Sequence, residues 1–324
     1  MSVMQGQAIA GPLAFVPMTT RGWALFAAIS VIWGLPYLFI KIAVDHGLTP
    51  GFVAWSRVVL ATLVLTPVAV RSGALRGLPV RWVALFAATE IAIPFPLIGF
   101  GEQRIASSLA AILIAAMPLF VAALALRFDH AERPTPTRLA GMLVGLGGVA
   151  ALVGIDIAGR GSELLGAGAV LVATVGYAIG PLIVNRKLSG ADPLGPVTAA
   201  LAIAAVMLLP FGIAGMPTGG VSFDAAMSVV VLGLVCSALA FLVFFRLIAE
   251  VGPSRAAVIT YINPIVALAL GVAILGEAVG PGTVAGLLLI LAGSWLSTEG
   301  RTPPGLAAVA ARVGRRGRGR AAEA

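Results

Sequence analysis

The chain has 324 residues, a formal net charge of +8 and 60% hydrophobic residues, while only 10% of its residues are charged. Soluble domains carry about 25% charged residues, because their surface meets water. This composition therefore excludes a soluble globular protein and indicates a chain that lies mostly in lipid. The 40 glycines agree, since small residues let membrane helices approach closely.

Ten apolar segments follow one another along the chain, joined by short connections that leave no room for a soluble domain. A helix needs about 20 mostly apolar residues to cross a bilayer. The first segment is too long for the apolar part of a cleaved signal peptide, so it is interpreted as the first spanning helix. The predicted helices are 22–44, 52–70, 82–100, 106–126, 139–155, 165–184, 194–212, 226–247, 256–275 and 281–297.

Lysine and arginine are spread unevenly over the connections, and such residues favour cytoplasmic loops. With the N-terminus inside, 17 of the 21 lie in the tails and inner loops, two in outer loops and two within helices. We therefore expect both termini to be cytoplasmic. The basic stretch 312–320 has no interleaved aromatic residues, so we expect it to attract anionic lipid rather than nucleic acid.

An internal repeat organises the helices. The apolar stretches 107–126 and 254–277 share one design, and their central prolines, Pro118 and Pro264, are 146 residues apart. Other prolines and glycines recur at nearly the same offset, so helices one to five correspond to helices six to ten. Because five is odd, the second copy enters the membrane from the opposite side. The sequence thus predicts an all-α integral membrane protein with ten transmembrane helices in two inverted five-helix repeats.

Several of these segments resemble a known domain. Trp33 and Gly34 followed by Lys41, and Arg57 in the second helix, look like the opening of an EamA domain. GEQRIASSLAAILIAAMPLF is similar to its fourth helix, and VGPSRAAVITYINPIVALALGVAILGE to the same helix of a second copy. The chain therefore resembles EamA-domain transporters of the drug/metabolite transporter superfamily. We expect the repeats at 22–157 and 164–297, between cytoplasmic tails at 1–21 and 298–324.

The resemblance implies a bacterial inner-membrane transporter that works by alternating access, often as an exporter. Its substrate would be a small metabolite, an amino acid or a drug. The helices hold too few clustered catalytic groups for an enzyme, and no P-loop motif occurs, so we expect neither enzymatic activity nor a cofactor or metal. The alternatives are an uncoupled facilitator or uniporter, and a membrane sensor or scaffold. The oligomeric state is left open.

Glu90 is an acidic residue about halfway along the third predicted helix, where a charged side chain is costly. Intramembrane acids usually face the bundle interior or a water-filled cavity. Such an acid can take up and release a proton as the cavity opens to each side, which makes Glu90 the candidate for proton coupling. The counterpart of Glu90 in the second copy is Cys236. The alternative is a protonated Glu90 hydrogen-bonded to a neighbouring helix.

Three further charged residues are predicted near the outer face: Lys41 and Arg57 lie in the outer thirds of helices one and two, and Glu102 lies just past the outer end of helix three. One interpretation is a basic site or gate for a substrate carboxylate, with Glu102 as the competing partner. The other is that the cations reach the interface or form a structural ion pair.

Prolines and aromatic residues complete the predicted site. A proline frees a backbone carbonyl, which can line a substrate path or form a hinge, although a static kink is the alternative. The hinge or kink candidates are Pro36, Pro94, Pro96, Pro118, Pro181 and Pro264. Aromatic faces with a few polar groups suit small organic substrates. Besides Arg57, the candidates for the cavity wall are Trp33, Tyr37, Phe95, Tyr177, Tyr261 and Asn263.

Overall fold

The computed structural model describes residues 18–128, 135–157 and 159–299, and every regular element in these ranges is a helix. Nine helical segments are long and apolar enough to cross a membrane, and one further apolar helix has 17 residues. The prediction of an all-helical, multi-pass membrane protein is therefore confirmed. The helices are α1 (Thr20–Asp45), α2 (Pro50–Ser72), α3 (Val80–Glu102), α4 (Ser107–Ile114 and Met117–Phe128), α5 (Pro136–Asp156), α6 (Gly161–Leu188), α7 (Leu194–Ala214), α8 (Phe223–Val251), α9 (Ile259–Leu275) and α10 (Pro281–Glu299).

The 17-residue helix is α9, which was predicted to begin at Ala256. It begins three residues later, because a one-turn helix at Pro253–Ala256 and a turn at Ala257 and Val258 precede it. The basic stretch 312–320, for which lipid attraction is predicted, lies outside the described residues.

Several helices change their winding along their length. The first helix is interrupted between Ile32 and Leu35. Three helices contain π-helical segments, which often occur at functional sites. These segments are Ala88–Ala92 in α3, Val184–Leu188 in α6 and Val231–Leu239 in α8.

Four of the six prolines named above stand where a new helical segment begins. Proline suits the first turn of a helix, because its missing N–H would have no partner there and its φ is already helical. The other two, Pro181 and Pro264, lie inside α6 and α9. The four at or near a segment's first residue are Pro36, Pro94, Pro96 and Pro118.

Helices α5 and α10 pack closely along their length. Glycine makes this approach possible, since a Cβ on Gly148 would lie 2.8 Å from the backbone nitrogen of Ile290. A Cβ on Gly293 would overlap the backbone of Gly145. Small residues that let backbones meet are a common basis for helix association in membranes.

Two carboxylates cap helices that belong to the other half of the chain. Asp156, at the end of α5, accepts the N–H groups of Gly282 and Thr283 at 3.0 and 2.6 Å. Glu277, just after α9, accepts those of Ser107 and Ser108 at 2.6 and 3.0 Å. The first N–H groups of a helix have no partner within it, so each carboxylate satisfies two of them. The halves are thus tied together at the end of the bundle where α4 and α10 begin.

Candidate functional site

A cavity of about 70 Å³ lies between α1, α4 and α9. It is located where α4 is interrupted and where α9 contains Pro264, so both members of the repeated proline-centred design contribute to it. Four of the residues proposed from the sequence line it: Tyr37, Pro118, Asn263 and Pro264. The other lining residues are Ala111, Ile114, Ala115, Met117 and Thr260.

Hydroxyl groups of neighbouring helices lie against the carbonyl groups at the interruption of α4. Ser294 of α10 donates its hydroxyl to the Ala115 carbonyl at 3.3 Å, and the Thr174 hydroxyl of α6, which donates to the Val170 carbonyl at 2.8 Å, lies 3.4 Å from the Leu113 carbonyl oxygen. Side chains of this kind allow irregular backbone to persist inside a membrane. Side chains of α6 and α10 therefore stabilise the interruption of α4.

Asn263 joins α9 to α1 at the wall of the cavity. With its amide oriented to satisfy both contacts, the nitrogen donates to the carbonyls of Ile259 at 3.0 Å and Ser30 at 3.1 Å. The interruption of α1 lies directly beside Asn263. A Cβ on Gly34 would be 3.3 Å from the backbone carbonyl oxygen of Asn263. Asn263 therefore places a polar group at a point where α1 and α9 meet.

Arg57 of α2 forms the centre of a second polar group, which includes Tyr37 from the cavity wall. The side chain is buried, with 8% of its residue exposed, and its Nε donates to the Ser237 hydroxyl at 2.9 Å. Its guanidinium lies over the Phe95 ring, 4.1 Å from the ring centroid. Tyr177, Cys236 and Tyr37 interact with it electrostatically, and so does the more distant carboxyl group of Glu102. We call this set the Arg57 cluster: Tyr37, Arg57, Phe95, Tyr177, Cys236 and Ser237.

The charge of Arg57 is not balanced by an ion pair within the described part of the chain. No carboxylate there lies within ion-pair distance, and the two terminal guanidinium nitrogens form no hydrogen bond with the described residues. Burying an unpaired charge is costly, so such a group usually has a partner. Two free nitrogens in a fork match the two oxygens of a carboxylate.

The π-helical segment of α8 positions the Ser237 hydroxyl for its hydrogen bond with Arg57. Its hydroxyl donates to the Leu232 carbonyl, five residues earlier, at 2.9 Å. Gly233 lets this segment approach α2, since a Cβ there would lie 3.1 Å from the Arg57 carbonyl oxygen. The sequence analysis did not propose Ser237, although its neighbour Cys236 had been aligned with Glu90.

Glu90 lies apart from the cavity, in the π-helical segment of α3. It faces α6 beside Pro181, where a Cβ on Gly180 would overlap its carboxyl group. Gly176, one turn earlier, is also needed, since a Cβ there would be 2.6 Å from the Thr89 carbonyl oxygen. Two glycines of α6 therefore make room for the segment that carries Glu90, and the acid lies at a contact between the two halves of the chain.

Lys41 and Glu102 do not form the ion pair that one interpretation predicted. Lys41 Nζ forms an ion pair with Asp45 at 3.0 Å, and it donates to the backbone carbonyl of Glu102 at 2.8 Å. The reason is the i,i+4 spacing of Lys41 and Asp45, which brings them together on one face of α1. Glu102 is the last residue of α3 rather than a residue beyond it.

The remaining aromatic candidates lie in different places. Phe95 and Tyr177 belong to the Arg57 cluster. Trp33 packs against Phe244 of α8, with 4.7 Å between ring centroids, and is not among the residues that line the cavity. Tyr261 faces Trp295 of α10, with 5.8 Å between ring centroids.

Several known proteins are similar to this chain. An "Uncharacterized transporter" of Archaeoglobus fulgidus is 25% identical over 281 residues, which cover 87% of this chain and all of that protein. A "Probable terminal-alkyne amino-acid exporter" of Streptantibioticus cattleyicolor is 30% identical over 284 residues, covering 85% of this chain and 92% of the relative. A protein of known crystal structure shares the fold with a TM-score of 0.59 at 18% identity, over 86% of this chain and 97% of that one.

The model of the EamA-like transporter family matches the chain twice, at residues 20–154 and 164–298. These two matches cover most of the chain and confirm the resemblance predicted from the sequence. The chain therefore belongs to the EamA-like transporter family, and it is a membrane transporter of the drug/metabolite superfamily rather than an enzyme.

Proposed function

We propose that this protein is a secondary active exporter of small molecules that carry a carboxylate, with amino acids and their derivatives as the first class to test. The observation that carries the proposal is Arg57, a buried guanidinium with two terminal nitrogens that have no partner among the described residues. The Streptantibioticus relative, named as an amino-acid exporter, supports the substrate class.

The proposed mechanism is alternating access between two inverted repeats. The packing of the helices supports it, because several contacts between the halves recur between the corresponding helices of the other copy. Helix α3 packs on α6 as α8 packs on α1, and α2 packs on α8 as α7 packs on α3. Helices α2, α4 and α5 each pack on their own counterparts, α7, α9 and α10. Rocking of one half against the other would then expose the Arg57 cluster to each side in turn.

The proposed orientation follows the distribution of positive charge, with both termini in the cytoplasm of a bacterial cell and the protein in the inner membrane. The end at which Glu277 caps α4 then faces outward. Export is the proposed direction because of the exporter named among the relatives.

Glu90 is proposed to couple transport to protons. Its counterpart Cys236 lies in the matching π-helical segment of α8, so the two copies place an acid in one half and a thiol in the other. We expect Glu90→Gln to abolish the acceleration of amino-acid transport by an imposed pH gradient in proteoliposomes, because an amide cannot take up and release the proton. Transport down the substrate gradient should remain.

The matched control for that measurement is Glu163→Gln, which changes a partly exposed carboxylate paired with Arg160. It should leave the response to the pH gradient unchanged. A wild-type response in Glu90→Gln would exclude coupling through this residue. If the wild-type protein itself transports without any response to the gradient, the uncoupled facilitator is the correct alternative.

A further inference from the structure

Glu102 is buried at the end of the bundle where Glu277 caps α4. Its residue is 0% exposed, and neither carboxyl oxygen has a hydrogen-bond partner within residues 18–128, 135–157 and 159–299. The hydroxyl of Ser107, the first residue of α4, is in the same condition, with 0% of its residue exposed. Buried polar groups nearly always have partners, because leaving one unsatisfied costs about 1–3 kcal/mol, and more for a charged group. These two side chains therefore indicate a ligand.

The titratable and charged groups that face Glu102 are Tyr37, Lys41 and Asp45 of α1, Arg57 of α2, and Glu277. None of them forms an ion pair or a hydrogen bond with its carboxyl group, and Arg57 in particular lies beyond ion-pair distance. Lys41 contacts the carboxylate of Asp45 and only the backbone of Glu102. Glu277 uses both of its oxygens on the N–H groups of α4, and as a like charge it opposes ionisation of Glu102. The described part of the chain therefore provides no direct ion pair for an ionised Glu102.

A proton fits this site better than a metal ion. Hard cations take about six oxygen ligands, whereas the unpartnered oxygens here are the two of Glu102 and one of Ser107. The Lys41 ammonium group, 2.8 Å from the Glu102 carbonyl oxygen, would repel a metal cation. Among the described residues, no group of three or more His, Cys, Asp or Glu side chains could hold a metal.

We propose that Glu102 is a proton-binding site that controls the opening of this end of the transporter. It is protonated while the start of α4 is seated on Glu277, and it loses the proton to the adjoining solution when the helices separate and water enters. Burying an ionised, unpaired carboxylate is strongly unfavourable, so proton loss favours the open state. This inference rests on the alternating-access mechanism proposed above, and it concerns a different residue from the coupling candidate Glu90.

The expected consequence is a pH-dependent opening of this end. The closed state binds one proton more than the open state, so the ratio of open to closed protein rises by up to about tenfold per pH unit through the titration range. The same opening should be nearly independent of pH when residue 102 cannot ionise.

The test compares the labelling of two introduced cysteines in nanodiscs, where both faces of the protein meet the same solution. Ser108→Cys, at a position that is 1% exposed, reports opening, and Gln103→Cys, at an exposed position, corrects for the effect of pH on thiol reactivity. Cys236 is buried, and its own labelling is subtracted using the chain without an added cysteine. The measured quantity is the ratio of the two rates with a polar maleimide, from mildly acidic to mildly alkaline pH.

We expect the ratio to rise with pH in the parent protein, to stay low and flat in Glu102→Gln, and to follow the parent in Glu163→Gln. Glu102→Met should also be flat, and it replaces the amide variant if that one is not recovered. A flat ratio in the parent, or an unchanged rise in Glu102→Gln, overturns the proposal. Because no substrate is present, this outcome is separate from the transport measurements that test the proposed function.

Discussion

Replacing Arg57 with glutamine should lower the transport rate for an amino-acid substrate by about 100-fold or more, because losing one partner of a buried ion pair costs about 3–5 kcal/mol. The same substitution should leave the amount of folded protein unchanged or higher. Arg57 has no ion-pair partner among the described residues, so removing its charge also removes an unfavourable burial. Uptake into proteoliposomes, measured beside membrane abundance and melting temperature, separates these two effects.

A second arginine provides the control. Arg104 also lies over an aromatic ring, with 3.5 Å between its guanidinium carbon and the Phe100 centroid, but its hydrogen bond to the Phe100 carbonyl is exposed. Arg104→Gln should transport at close to the wild-type rate. Arg57→Lys should fall between the wild type and Arg57→Gln, because an ammonium group lacks the fork that matches a carboxylate. Equal transport rates for Arg57→Gln and the wild type would show that Arg57 does not bind the substrate.

Replacing Gly293 with alanine should strongly destabilise the protein. The added methyl group would overlap the backbone of Gly145 across the contact between α5 and α10, and backbone cannot move aside as a flexible side chain can. Overpacking of this kind typically costs about 1–3 kcal/mol, and occasionally more. The melting temperature of the purified protein should fall clearly.

Gly147→Ala is the control, since nothing lies within 4 Å of the position that its Cβ would take. Alanine is about 1 kcal/mol more favourable than glycine inside a helix, so this variant should be as stable as the wild type or slightly more so. If Gly293→Ala has the same melting temperature as Gly147→Ala, the close contact between α5 and α10 is not important for stability.

The positions of the helices followed from simple physics. Apolar length located the spans, and prolines located several starts within them, such as Pro94 and Pro118. One difference was the start of α9, where the apolar pattern continues through a turn, and another was α6, which extends four residues beyond the predicted helix at each end. A turn at Ala257 and Val258 leaves no trace in hydropathy, because both residues are apolar.

The site was less accessible to sequence reasoning. Tyr261 and Asn263 were proposed together, yet only Asn263 lines the cavity, while Tyr261 faces Trp295. Residues two positions apart on a helix point about 200° apart, so only one of them can face a given cavity, and which one does so depends on the packing of the whole bundle. Trp33 differs for the same reason, because α8 covers it.

Contacts between distant residues could not be derived from one sequence. Ser237 is 180 positions from Arg57, and Glu277 is 170 from Ser107. Charge spacing did suggest partners for Lys41, but the nearer acid on the same helix, Asp45, forms its ion pair. The repeat was the one long-range signal in the sequence, and it correctly suggested that the segments around Pro118 and Pro264 be considered together.

The claim that Arg57 binds a substrate carboxylate is tested most directly by thermal stabilisation. A ligand that binds the folded state raises the melting temperature by an amount that grows with the logarithm of its concentration relative to its Kd. Purified wild type and Arg57→Gln are each melted with a panel of amino acids and with the matching carboxamides. We predict that at least one amino acid stabilises the wild type, while its carboxamide does not and Arg57→Gln responds to neither. Equal stabilisation by acid and amide, an unchanged response in Arg57→Gln, or no response to any amino acid would contradict the account.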